Sequence, residues 1–498
     1  MSSNWRPWIT VAVLALAALV SYGVPSLARF RLVGPGPLVR TFVDPFRGRP
    51  KAPLWTKTRP REEETKAVVQ ETARAPESQD GSPPPSVEPS LRAQPPKEDI
   101  SAQGALLTDP NRALKGFHEA LQWVERGVGL VRILHIGDSV VTGDLITAEA
   151  RARLQRAYGD GGPGWIYLAR PWEWYTHLGL TLKGSGWVIQ SPLLTARGDR
   201  RYGLAGLAFS STPKAETVLS TTGNHPFSRL KVHYLAQPKG GSVLVRVDEE
   251  PPVELSTAGD LGPAFRELQL EADAAHTISL RPKGDGDVTL YGLVLERYGP
   301  GVVYDAIGSN GGAIQHLAHI DPGDWIEALR FRNPDLVILA FGTNETGYYN
   351  IPGPTYAANY REVVRRIRQG LPRASILIMA PMDRGERSET GEIASLPKVI
   401  RIVEAQREIA QETGCAFFDT FRAMGGEGAA GRWYFSTPRL MTADFTHPTR
   451  TGADALAKLL VEALQQRYML FREEGPSGNP QEHRAMSEAG PESGQHRH

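Results

Sequence analysis

At 498 residues, with 56 Lys plus Arg against 55 Asp plus Glu, the chain carries a formal net charge of +1 and has length enough for several domains. That balance excludes a protein held to nucleic acid by a strongly basic domain, and 41% hydrophobic content excludes a chain disordered throughout. The single cysteine, Cys415, excludes a disulfide framework and any zinc or iron–sulfur site built on several thiolates.

The first feature in chain order is an uncharged run over residues 7–28, flanked by Arg6, Arg29 and Arg31. About 20 apolar residues suffice to cross a bilayer as a helix. The run reads as a membrane anchor, with a cleaved export signal ending near Ala28 as the alternative; either carries the rest of the chain out of the cytoplasm, to a periplasmic or cell-surface location. Residues 33–110 then read as an extended, disordered linker. Thirteen of the 39 prolines lie between 33 and 105, beside charged runs such as REEETK, and no apolar period is present.

From Leu114 the texture changes. Leu114, Phe117, Leu121 and Val124 have helical spacing. The apolar run VRILHIGDS ends in Gly137-Asp138-Ser139, and TGDLITAEARARLQRAYG reads as a helix capped near Thr142. Residues 171–300 hold short alternating runs such as LKVHYLA, SVLVRV and HTISLRP, punctuated by Gly, Pro and Asp. This predicts an inserted antiparallel sandwich or jelly roll. Apolar strands resume at VVYDAIG, DLVILAFG, SILIMAP and CAFFDT, separated by helical stretches, with a last helix near 451–472. Strands alternating with helices predict an α/β domain on a doubly wound parallel sheet, in two parts, 111–170 and 301–473. Residues 474–498 read as a disordered tail whose His483, His496 and His498 need no metal.

In such a sheet, functional residues gather where strands end. Here the ends carry Gly137-Asp138-Ser139, Gly308-Ser309-Asn310-Gly311-Gly312 and Gly342-Thr343-Asn344-Glu345, while Asp444-Phe445-Thr446-His447 precedes the final helix. Acyl transfer needs an exposed serine, a histidine to take its proton, a carboxylate to fix the imidazole, and donors aimed at the developing oxyanion. Ser139, His447 and Asp444 fit the triad. The backbone N–H groups of Ser139 and Gly311, with the Asn344 side-chain amide, fit the oxyanion hole. Taken singly each run is an ordinary turn; their order and placement give them weight. No phosphate loop and no cluster with metal-ligand spacing occurs, so no cofactor or metal is called for.

At these residues the sequence resembles the SGNH/GDSL hydrolases, named for Ser, Gly, Asn and His in four blocks. Ser139, Gly311, Asn344 and His447 match them, and Asp444 matches the triad acid. The resemblance implies a flavodoxin-like fold. The first block reads GDSVVTGD, without the usual leucine, and Ala306 stands where many members have Asn; neither position is in the triad. The insert after the first block, the N-terminal run and GDGGPGWIY at 159–167 look like the peptidoglycan O-acetylesterases, whose inserted domain is similar to a carbohydrate-binding module. The resemblance therefore implies a membrane-anchored, extracytoplasmic serine esterase that removes acetyl groups from a glycan, peptidoglycan first. An O-acetyltransferase or a general esterase or lipase would share the triad; a non-catalytic glycan-binding protein would not need it. Trp165, Tyr167, Trp172, Trp174 and Tyr175 form an aromatic cluster that either seals the joint to the insert or stacks on sugar rings.

Overall fold

A computed structural model describes residues 106–193, 201–348 and 350–473. The apolar run 7–28, most of the proline-rich segment and the tail from 474 lie outside these residues. Among the described residues, no helix is long and apolar enough to cross a membrane.

The fold is that of the SGNH hydrolases, with an inserted all-β domain. A six-stranded sheet runs in the spatial order Leu107–Thr108, Ala416–Phe418, Ser375–Met379, Leu336–Ala340, Leu130–Gly137, Gly301–Gly308. The last five are mutually parallel. Leu130–Gly137 and Gly301–Gly308 are buried along their whole lengths, as strands covered on both faces must be. Numbered along the chain, the five parallel strands lie 2-1-3-4-5, the doubly wound order that the alternating pattern predicts. The order reverses between Leu130–Gly137 and Leu336–Ala340, and that switch point opens a crevice at their carboxyl ends.

One face of the sheet is covered by helices Lys115–Glu125, Leu145–Tyr158 and Arg450–Glu473. The last buries Leu456, Leu460 and Leu464 at a helical repeat. Helices Pro322–Arg332, Pro354–Gly370 and Pro397–Thr413 cover the other. Each of these three opens with Pro at its first turn, where the ring costs no hydrogen bond.

Two antiparallel sheets make up the insert. One orders Val253–Ser256, Ser242–Val247, Thr277–Pro282, Glu216–Thr221 and Leu180–Ser185. The other orders Gly262–Ala274, Phe227–Ala236, Thr289–Glu296, Ala208–Ser210 and Val188–Gln190. Alternate residues point inward: Val243, Val245 and Val247 on one sheet, Leu230, Val232 and Tyr234 on the other. All six belong to one buried cluster, which continues into Val337, Leu339 and Trp325 of the α/β part.

Three local boundaries differ from the sequence reading. Gly164–Ile166 pairs with Thr289–Glu296, so the β-rich insert takes in residues ahead of 171. Leu107–Thr108 is an antiparallel edge strand on Ala416–Phe418, so the linker expected through 110 ends earlier. The helix expected to be capped near Thr142 is two helices. Ser139–Thr142 is capped by Asp138, and Leu145–Tyr158 follows Asp144, a left-handed residue. Strands of two or three residues and one-turn helices carry too few positions to show a period, and the strands' partners lie far away in sequence.

Candidate active site

The site stands at the switch point. Leu130–Gly137 delivers Ser139 to the first position of a one-turn helix, where the Asp138 carboxylate accepts the Val140 N–H at 3.0 Å. That turn lies hard against the neighbouring strand: a Cβ on Gly308 would come within 2.1 Å of Thr142 N, so only glycine lets the two approach.

Ser139 Oγ lies 2.9 Å from His447 Nε2, and His447 Nδ1 lies 2.6 Å from Asp444 Oδ2. A carboxylate only accepts, so Nδ1 holds the proton toward Asp444 and Nε2 is left to accept from the serine. Ser139 and His447 are 308 positions apart. The loop carrying Asp444 and His447 is self-braced. Asp444 Oδ1 accepts the backbone N–H of Thr446 at 2.9 Å and of His447 at 3.0 Å, and the Thr442 hydroxyl at 2.6 Å. Phe445, between them, takes φ +52°, which turns the loop tightly enough to bring Asp444 beside His447.

Electrostatics follow the geometry. Burial disfavours the charged imidazolium of His447, but the hydrogen bond and charge of Asp444 outweigh it, and the pKa is raised above the ordinary 6.5. Arg384 acts against that rise. Burial likewise works against the Asp444 carboxylate, and His447 more than compensates, so Asp444 is held far below the usual carboxylate range.

The other two blocks meet across the crevice. Asn344 Nδ2 donates to Gly312 O at 2.8 Å, which fixes the amide plane and leaves its second N–H available. Gly311 has φ +74°, and no atom lies within 4 Å of where its Cβ would be, so its backbone is open to an approaching group. The five residues expected from sequence therefore occupy two connected layers: Ser139–His447–Asp444 as a hydrogen-bonded chain, and Gly311 and Asn344 on adjoining loops.

Two supporting residues, Glu345 and Arg384, have no role assigned by the sequence, and a neighbour of the site, Trp174, stands out there only as one of five clustered aromatics. Glu345 is buried beneath the loops and accepts the Ile314 N–H at 3.1 Å and the Gly342 N–H at 3.0 Å; burial pushes its carboxyl up to about 8. Arg384 donates to Thr343 O at 3.2 Å and to the Thr346 hydroxyl at 2.5 Å, bracing the Asn344 turn. Trp174 stands with its ring centroid 6.4 Å from that of His447, the planes 87° apart. Glu345 lies in the Gly342–Glu345 run, and its place next to Asn344 is the only sequence signal that could have marked it. Of the aromatic cluster, Trp165, Tyr167 and Tyr175 are buried and Trp172 is half-buried against the joint with the insert; Trp174 alone is exposed.

Residues 282–455 match the GDSL-like Lipase/Acylhydrolase family. The match takes in Gly311, Asn344, Asp444 and His447 but not Ser139, which only the folded chain adds. A solved structure described as a peptidoglycan O-acetylesterase in action is 25% identical. It superposes with a TM-score of 0.63, covering 73% of this chain and 99% of that one. A family two carbohydrate esterase from Cellvibrio japonicus is 15% identical over 58% of this chain and 98% of its own, at a TM-score of 0.22, an overlap too loose to bear on this protein. Comparison with curated proteins by sequence gives no match.

Proposed function

We propose that this protein of SGNH-hydrolase fold is a serine esterase that removes O-acetyl groups from a glycan, with peptidoglycan as the substrate. The observation that carries the reading is the chain Ser139 Oγ, His447 Nε2, His447 Nδ1, Asp444 Oδ2, at 2.9 and 2.6 Å. In this mechanism Ser139 Oγ adds to the acetyl carbonyl carbon as His447 Nε2 takes its proton. The oxyanion receives hydrogen bonds from the Ser139 and Gly311 N–H groups and from Asn344 Nδ2. Collapse expels the sugar hydroxyl, which takes its proton from His447 and leaves an acetyl-enzyme. Water then adds through the same base, and acetate departs. Asp444 stays ionised throughout and keeps Nε2 facing the serine.

The likeness to the peptidoglycan O-acetylesterase, which extends over nearly all of that chain, supports the glycan assignment. The uncharged run 7–28 supports export with membrane anchoring, and the proline-rich segment supports a spacer between membrane and enzyme. Acetate release from O-acetylated peptidoglycan, with acetylated xylan beside it, tests the proposal. Wild-type protein is expected to release acetate from peptidoglycan, and Ser139→Ala to lose roughly 10⁶ in turnover while staying folded. Release that survives the substitution would move the nucleophile elsewhere; release from xylan alone would replace the substrate.

A further inference from the structure

Trp174 is 60% exposed, the one exposed tryptophan among the described residues. A single exposed apolar side chain is ordinary; this one is set apart by its ring lying beside His447 and by the loop that fixes its backbone there. The loop gives it no freedom to retreat. On one side, the Tyr175 N–H bonds Trp172 O at 3.1 Å, and the buried Tyr175 hydroxyl accepts the Tyr167 N–H at 3.1 Å. On the other, the Thr176 hydroxyl donates to Gly143 O at 2.9 Å, just past the helix that begins with Ser139, and the Leu178 N–H donates to Asp144 Oδ2 at 2.9 Å. Trp174 is thus clamped between the insert and the nucleophile's own turn, with its ring against His447.

We infer that Trp174 is the stacking platform for the sugar ring that bears the scissile acetyl group. This deepens the proposed function and rests on it. Ser139 Oγ lies 2.9 Å from His447, and the Trp174 ring lies 6.4 Å from the His447 ring, so a sugar whose acetyl carbonyl is in reach of Ser139 has an exposed indole within reach of its own ring. Pyranose rings present C–H faces that pack on indole, whose broad surface offers area at small entropic cost. Trp174 also brings the insert to the site, because the segment leading into the insert carries the ring beside His447.

The test compares two esters of one acid. Trp174→Ala is expected to lower kcat/KM on O-acetylated peptidoglycan about 10-fold, mainly through KM, while leaving ethyl acetate, whose leaving group has no ring to stack, within about 2-fold. Trp174→Phe should recover part of the loss. In a Ser139→Ala background, calorimetric titration with the acetylated glycan should show the same weakening on Trp174→Ala. Equal losses on both esters would mean that Trp174 acts by holding His447, and an unchanged glycan KM would remove the platform; either overturns the inference while the esterase reading stands. A wild-type protein that cleaves p-nitrophenyl acetate but no acetylated glycan would overturn the proposed function and this inference with it.

Discussion

At the residue scale, the site's chemistry depends on one proton. His447 must be neutral to accept from Ser139, and Asp444 raises the pKa at which that neutrality is reached. The acid limb of kcat/KM is therefore expected above pH 6.5, with activity rising as pH rises through it. Asp444→Asn removes the carboxylate, so the limb should move to lower pH while kcat falls by roughly 10⁴. A pH–rate profile on p-nitrophenyl acetate checks both, and a limb that stays in place would assign the ionisation to another group. Glu345 works differently. Its folded pKa, about 8, stands above the ordinary 4.5, so the folded state binds the extra proton between those values. Its contribution is complete below about pH 4.5 and is lost as pH rises through 8. Glu345→Gln removes the ionisation, but it keeps one oxygen for only one of the Ile314 and Gly342 N–H groups and sets an NH2 against the other, so it also lowers stability at every pH. Urea midpoints should then fall less steeply between pH 5 and 8 than in wild type. Glu345→Ala orphans both buried donors, at roughly 1–3 kcal/mol each.

At the element scale, four side chains join the insert to the sheet. Glu296, at the end of the insert's last strand, accepts from Arg132 Nε at 2.7 Å and Arg332 Nη1 at 2.7 Å. Arg332 also pairs with Asp305, whose Oδ1 accepts the Trp165 N–H at 2.8 Å. All four side chains are almost completely buried. Burial opposes the charge on Glu296, yet Arg132 and Arg332 hold its carboxyl well below the usual range. Glu296→Ala would leave two guanidinium groups buried without it and is expected to cost roughly 3–5 kcal/mol, read from urea unfolding. A loss under about 1 kcal/mol would show that water solvates the two guanidinium groups in its place.

At the scale of the whole molecule, the α/β part and the insert share one buried cluster and this ionic joint. A module hung on two linkers would unfold by itself. Here tryptophan fluorescence and far-UV circular dichroism should report one coincident transition for residues 106–473. Two separated transitions would contradict the shared core. Excising 171–300 should abolish folding, because it strands Gly164–Ile166 without its partner and removes Glu296 from Arg132 and Arg332.

The sequence by itself determined what local period and short-range chemistry can encode. Five buried strands announce themselves as apolar runs, four of them with a glycine at one end or both. The Asp444–His447 pair is legible because a three-residue spacing closes through one turn. The catalytic candidates emerge from polar runs placed where strands stop. What only the tertiary structure decided lies in contacts between distant positions. Ser139 and His447 meet across 308 residues, Gly164–Ile166 finds its partner strand beyond residue 288, and Glu296 is buried against Arg132 and Arg332. Trp174 shows the limit most plainly. Within the sequence it is one of five neighbouring aromatics with equal claim to the core, and burial separates them only once the sheet and the insert have covered three of the others fully and Trp172 in part. A side chain's exposure depends on what packs over it from elsewhere in the chain, and no local pattern carries that information.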